Sequence, residues 1–384
     1  MNTKDLTEKG EKMLRLPVLL FMLFTGLAFA QEEEIVDPKI QVQLMPLFQD
    51  WSADSVGDVR DFSEISTALS AYIPISENAS VSLWLAQANI RFGDEDSLNN
   101  KSIRDLSGIT DLQMGATYYL ESFQTVASLK LNIPIGKKEL NRREFDTSAI
   151  IANGLYRFQV PNLGQGFNVA PGLTWAHQVN NKVAIGLGTS YNYRGSYKAL
   201  DVVDKFNPGD EFLLTGGFDV RVDDASTVTS DLIFMTYTRD KIGSEEIFAA
   251  GNRYIWTTQY HRYFDFNELQ VVARFRSQGK SEVFLLERQN NIIPTNFHLF
   301  ANYAWLLNPA FTMGFFLEGR FYGKASEAKV PFSDGKLFGF GFYPEVIVNE
   351  RVRLPIRIKY MIADFKNNIS LNGLDLGMGL ELTF

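Results

Sequence analysis

The 384-residue sequence predicts an all-β chain: a transmembrane antiparallel up-and-down β-barrel of about sixteen strands, with fourteen as the alternative count. Three observations lead there. Apolar residues alternate with polar or tiny ones at period two in segments of roughly ten to thirteen residues, tight turns alternate with long polar loops, and aromatic residues gather at segment ends. Strands of a soluble sandwich average about five or six residues, whereas about nine to eleven are needed to cross a bilayer at a tilt.

The N-terminus reads differently from the rest. Arg15 precedes the apolar run 16–27, and Ala28-Phe29-Ala30 supplies the small-x-small pattern that a signal peptidase needs before Gln31. We expect a signal peptide over 1–30, with Met13 as an alternative start, and a short periplasmic N-terminus over 31–38. The run is too short for a bilayer span, and Glu32, Glu33 and Glu34 follow where an anchored helix would show basic residues. Residues 39–384 form the expected barrel.

Strands are expected to begin near Lys39, Phe62, Ala79, Ile109, Phe123, Phe167, Val183, Phe212, Ser226, Arg253, Leu269, Asn296, Phe311, Leu337, Val352 and Leu374. The last is the clearest. Leu374, Leu376, Met378, Leu380, Leu382 and Phe384 share one face, opposite Asp375, Gly377, Gly379, Glu381 and Thr383. Leu354, Ile356, Ile358 and Tyr360 alternate in the same way with Arg353, Pro355, Arg357 and Lys359. In the third strand Val81, Leu83 and Leu85 lose phase to Ala86, Ala88 and Ile90, as a bulge would cause.

Links such as Ser76-Glu77-Asn78, Asn180-Asn181-Lys182, Asp223-Asp224-Ala225 and Asn308-Pro309-Ala310 are short, whereas 93–107, 195–210 and 323–334 read as long loops. Tight turns on one rim and long loops on the other are the wiring of an outer-membrane barrel. Residues 137–165, with the apolar but poorly alternating piece 149–160, read as a long third loop folding over or into the mouth. Tyr191, Tyr193, Trp175, Phe264, Trp305, Tyr322 and Phe384 fall near strand ends, where rings with one wet and one greasy side form interface girdles.

By phase, Lys130, Arg274, Arg276, Glu318, Arg320, Glu345, Arg353, Arg357, Lys359, Asp375 and Glu381 point into the lumen. Charges there must be paired or wet. They form either a solute path whose field orients a polar or carboxylated solute, or a charge ladder that fills the barrel. The net charge of -8 argues against nucleic acid, and the absence of cysteine excludes disulfides, thiolate metal sites and a cysteine nucleophile. We expect no enzyme, no catalytic residue, no metal and no cofactor. His177, His261 and His298 have no serine or aspartate partner that phase and depth identify, and Asp94-Glu95-Asp96 and Glu245-Glu246 read as solvated acidic loops. Expected partners are outer-membrane lipid and lipopolysaccharide, a small-molecule solute, and barrel-assembly machinery, which would read the terminal Phe384.

The stretches Gly108-Ile109-Thr110-Asp111-Leu112-Gln113-Met114-Gly115-Ala116 and Lys130-Leu131-Asn132-Ile133-Pro134-Ile135-Gly136 resemble outer-membrane transporters of the meta-pathway of phenol degradation. Gly164-Gln165-Gly166-Phe167, Gly195-Ser196-Tyr197 and Pro208-Gly209-Asp210-Glu211-Phe212 are similar to later stretches of that group. The resemblance implies a passive transporter for a small hydrophobic or aromatic compound in the cell outer membrane, distantly similar to long-chain fatty acid transporter barrels. The few residues between Gln31 and the first strand leave no room for the N-terminal hatch of those barrels. The alternatives are a structural or plugged barrel and a general porin.

Overall fold

A computed structural model describes residues 39–55, 58–95, 101–152, 154–201, 205–284, 288–290, 293–325, 333–366 and 368–384. The expected signal peptide, the alternative start Met13 and the 31–38 stretch lie outside the described residues. Sixteen strands form one closed antiparallel sheet. They are β1 (Gln41–Ser55), β2 (Asp58–Ser76), β3 (Ala79–Glu95), β4 (Lys101–Ile109 and Leu112–Leu120), β5 (Thr125–Ile133), β6 (Asn168–Asn180), β7 (Val183–Arg194) and β8 (Glu211–Asp223). The second half holds β9 (Ser226–Tyr237), β10 (Arg253–Tyr263), β11 (Asn267–Gln278), β12 (Asn296–Asn308), β13 (Phe311–Tyr322), β14 (Gly335–Asn349), β15 (Val352–Phe365) and β16 (Ile369–Met378 and Leu380–Thr383).

Each strand pairs with the next, and β1 closes the ring on β16 from Gln41↔Thr383 to Asp54↔Ser370. Closure leaves no unpaired edge, which is what a sheet needs in hydrocarbon. The count is therefore sixteen and not fourteen.

The expected bulge exists, but on a different strand. β2 and β3 stay in register from Val59↔Glu95 to Pro74↔Ser80, so β3 never loses phase. Its partner β4 does: Gln87 lies opposite Ile109 while Trp84 lies opposite Gln113, three steps along β3 against four along β4. The extra residue turns both Thr110 and Asp111 inward, where they are buried. What changes along β3 is the side on which grease is wanted. Val81, Leu83 and Leu85 are the outward set near the short-turn rim, whereas Ala86, Ala88, Ile90 and Phe92 are buried inside and Gln87, Asn89 and Arg91 face outward.

Outside, the middle of the barrel is apolar and exposed, as at Phe315, Leu317, Phe340, Ile358, Ile362, Leu376 and Met378. A patch of that extent is untenable in water, and a closed β-barrel that carries it is an integral protein of the outer membrane. Trp175, Phe264, Phe266 and Trp305 are exposed at the short-turn rim, and Tyr191, Tyr193 and Phe212 toward the long-loop rim. Tyr322 departs from the expected girdle: it points inward and packs on Phe365, with ring centroids 5.7 Å apart. The described residues of 93–107 are strand, because β3 and β4 continue into them; the described residues of 195–210 and 323–334 belong to no barrel strand. Above the long-loop rim, Phe206–Asn207, Arg239–Ile242, Glu245–Ala249, Ser281–Val283 and Arg288–Asn290 form a second, antiparallel sheet.

At the C-terminus the Phe384 amide donates to the Ile40 carbonyl at 2.9 Å, while its ring stays exposed. Little stability hangs on that ring. Deleting Phe384 should lower the amount of inserted barrel in cells, through lost recognition by the assembly machinery, while the survivors keep their thermal stability in detergent. Unchanged insertion would show that Phe384 is not the signal.

Candidate functional site

The lumen is divided by one segment. The described residues of 134–167, between β5 and β6, leave the wall and fold inside the barrel, so the third loop enters the mouth instead of covering it. Its neck is tied by Asp111, which accepts from Gly136 N at 2.9 Å, Gln165 N at 2.7 Å and Asn132 Nδ2 at 2.7 Å. The approach is close enough to require glycine: a Cβ on Gly136 would lie 2.2 Å from the Leu163 carbonyl oxygen, and Gly166 adopts φ +80°. The resemblance motifs centred on Asp111 and Gly136 thus sit at this neck.

Next comes a helix the sequence analysis did not foresee, α1 (Arg142–Ile151). Asn141 caps it by accepting from Glu144 N at 3.1 Å, and Glu144 returns a bond to Asn141 N at 3.1 Å. Burial works against the Glu144 charge, but the Lys137 ammonium at 2.6 Å and the Asn141 amide outweigh it and hold the carboxyl below its usual range.

Beyond the helix, Leu155, Tyr156, Phe158, Val160 and Leu163 are buried against inward residues of the wall, including Trp51, Phe62, Ile90, Leu106, Leu337 and Met361. Tyr156 meets Trp51 edge-on at 5.5 Å. Each fully buried large apolar side chain contributes about 1.5–3 kcal/mol, so this plug is a true core inside the barrel. Its backbone polar groups are matched by the wall. Val160 N donates to Glu64 at 2.9 Å, Gln159 N to Gln49 at 2.6 Å, and Arg320 Nη1 donates to the Leu155 carbonyl at 2.7 Å. Replacing Asp111 with alanine leaves the partly buried Gly136 and Gln165 amides unpaired, at up to about 1–3 kcal/mol for each. Trypsin cleavage after Arg142 or Arg143 in the folded barrel should then accelerate about tenfold or more. An unchanged rate would mean that the neck is held without Asp111.

The charged residues read from the sequence fall into three groups. Toward the short-turn rim, Arg353 pairs with Glu345 at 3.3 Å and lies opposite Glu381 in the β15–β16 register. Higher, Arg357 pairs with the buried Asp375 at 2.7 Å, and Asp375 also accepts from Gln49 Nε2 at 3.0 Å, which links this pair to the plug. The third group surrounds Glu318, which is buried. It bonds Arg320 Nε, Lys359 Nζ at 2.9 Å and, from the plug, Arg157 Nη1 at 3.4 Å, and His298 Nε2 lies 3.3 Å from it. Arg157 adopts φ 51°, a left-handed conformation that aims its side chain across the lumen. Sequence reasoning missed Arg157, because its partner lies 161 positions away and nothing local marks it.

Arg274, Arg276 and Lys130 belong to none of these ion pairs and lie on the wall that the plug leaves free, Arg274 in the register row of His298. Lys130 and Arg274 are exposed to the lumen although they point inward by register. Nearby inward positions on β6 and β7 are small: Ala170, Gly172, Ala184, Gly186, Gly188 and Ser190. The plug therefore packs on β1–β4 and β14–β16, and β5–β11 line the wet side.

Among the described residues no histidine is bonded to a serine or threonine. His177 stacks on Trp175 at 5.7 Å and contacts Gln124 Oε1 at 3.0 Å. His261 Nε2 meets Glu268 at 2.6 Å, and His298 belongs to the Glu318 cluster. Glu246 pairs with Arg239 at 2.5 Å and Asp94 with Arg60 at 3.6 Å, while Asp96 lies outside the described residues. No cluster of metal-ligating side chains occurs among the described residues.

No family model and no curated protein matches the chain. Among solved structures it is similar to a BenF-like porin of Pseudomonas fluorescens Pf-5, at 12% identity and TM-score 0.47, over 90% of this chain and 99% of that one. OpdL of Pseudomonas aeruginosa shows 9% identity and TM-score 0.46 over 91% of this chain and 99% of that one. OccK7 (OpdD) of the same organism shows 10% identity and TM-score 0.42 over 90% and 100%. The shared feature is a barrel; at such similarity, solutes do not transfer from one protein to another. The closed sheet and its apolar exterior make this chain an outer-membrane β-barrel, with a lumen that the plug divides.

Proposed function

We propose that the protein is a passive outer-membrane channel for small solutes, which move along the wet wall of β5–β11 beside the plug. One observation carries this reading: the plug packs on one side of the lumen, while inward charges on the other side, Lys130 and Arg274, stay in contact with solvent. The sequence resemblance to meta-pathway transporters supports a small hydrophobic or aromatic compound as the solute. The polar lining favours one that carries a polar group. The lumen charges Lys130, Arg274, Arg276, Glu318, Arg320, Arg353, Arg357, Lys359, Asp375 and Glu381 are the proposed surroundings of the path. No catalytic step is assigned to them, and transport needs no energy input. Insertion by the barrel-assembly machinery, with lipid and lipopolysaccharide around the wall, completes this reading.

The buried apolar core of the plug favours a second reading, a closed structural barrel. Liposome swelling with sugars and aromatic compounds of graded size separates the two. Permeation of small solutes with a sharp size cut-off is expected of the channel. No swelling beyond empty liposomes would make the barrel a closed one.

A further inference from the structure

Where β10–β13 face the plug, inward cations outnumber the carboxylates bonded to them, and the nearby inward Asp219 and Asp231 lie further round the wall on β8 and β9. Arg157, Arg320 and Lys359 share Glu318, and Asp375 is taken by Arg357. Arg253, Arg274 and Arg276 are in no ion pair among the described residues: Arg274 Nε reaches only Thr257 Oγ1 at 3.3 Å, and Arg253 Nε only Gln278 Oε1 at 3.2 Å. Arg276 Nε is buried without a partner, and so is Nη2 of Arg320. Guanidinium donors left unpaired away from bulk water are costly, and the deficit here is specifically of acceptors.

These groups are neighbours by register. Arg274 lies opposite His298 and His298 opposite Arg320, while Arg276 is two residues further along β11 on the same face. Arg253 is the diagonal neighbour of Arg276 across β10–β11. Arg157 reaches the patch from the plug and contacts His298 Nδ1 at 3.4 Å. One same-face step below the His298 row lies the inward ring of Phe300 and one step further that of Phe316, the two rings 5.7 Å apart and Lys359 5.6 Å over Phe316. A row of forked donors above an aromatic surface matches a planar carboxylate on an apolar body.

We propose that Arg157 of the plug and Arg274, Arg276 and Arg253 of the wall form a binding site for the carboxylate of a small organic acid, with Phe300 beneath it receiving the acid's body. The bound carboxylate supplies the acceptors that the cluster lacks, and the same field admits anions and turns cations away. This rests on the channel reading and names the solute class of its path.

The test uses the purified full-length barrel, with two readouts. In planar bilayers under a potassium chloride gradient, the reversal potential should have the sign of anion selectivity, and the Arg274→Glu/Arg276→Glu double variant should reverse that sign. In detergent, calorimetry with sodium benzoate, sodium acetate and inorganic phosphate should show benzoate bound in preference to acetate and phosphate. The Arg274→Ala/Arg276→Ala variant, with its folded state verified by heat-modifiable migration on gels, should lose about tenfold or more of that affinity. Conductance without anion selectivity or benzoate binding overturns the site and leaves the channel standing. Benzoate binding without conductance supports the site and overturns the channel. Phosphate bound in preference to benzoate overturns the carboxylate assignment.

Discussion

Replacing Glu318 with alanine is expected to destabilise the folded barrel by about 3–5 kcal/mol, the usual cost of removing one partner from a buried charge pair. The carboxylate bonds Arg320 and Lys359, both almost wholly buried, and it is the contact through which Arg157 fixes the plug to β13. Without it two buried cations lose the one anion bonded to them among the described residues, and the plug loses a tie to the wall. Urea titration of the barrel in lipid vesicles measures the effect. Combining Glu318→Ala with Lys359→Met should recover part of the loss, because the second change removes one of the stranded charges. A loss below about 1 kcal/mol for the single variant would mean that water already solvates these cations, and the lumen beside β13 would then be open and not packed.

The barrel was legible because lipid enforces a rule that holds strand by strand. Apolar outward and polar inward alternate wherever the wall faces hydrocarbon on one side and polar groups or water on the other, as in the halves of β15 and β16 toward the short-turn rim. That rule locates every barrel strand and turns Lys359, Asp375 and Glu381 inward. It fails where its premise fails. The upper parts of β1–β4 have a packed plug inside and polar residues such as Gln87 and Arg91 outside, so the greasy face switches sides within one strand. Read from the sequence, that switch imitates a bulge in β3. The true irregularity, in β4, turns Asp111 toward the loop neck and has no period to betray it. Starts taken from the alternation came late for the same reason: β2 begins at Asp58 and not Phe62, β4 at Lys101 and not Ile109, β16 at Ile369 and not Leu374. The lumen charges were visible singly, but their grouping depends on strand register and on Arg157, both products of the tertiary fold.

Arginine at Met378 should strongly reduce the folded fraction in liposomes, whereas arginine at Gln259 should be tolerated. Met378 is 60% exposed on the outside of β16, beside Ile356 of β15, near the middle of the apolar belt. A guanidinium there costs about 2–4 kcal/mol, the depth-dependent penalty for a charge on the lipid face of a barrel. Gly377, the adjacent inward position, is a poor comparison, since even a Cβ would lie 2.8 Å from Leu47 Cδ1 and 3.0 Å from the Pro46 carbonyl oxygen. Gln259 is better. It lies in register with Thr229, whose hydroxyl bonds the inward Asp219, and its own long polar side chain is half-buried on the wet wall. An arginine of similar reach can hydrate there or turn toward Asp219, so the loss expected is under about 1 kcal/mol. Equal losses at the two positions would place lipid on both faces of the wall, or on neither, and with that every inward assignment made for the lumen charges would fall.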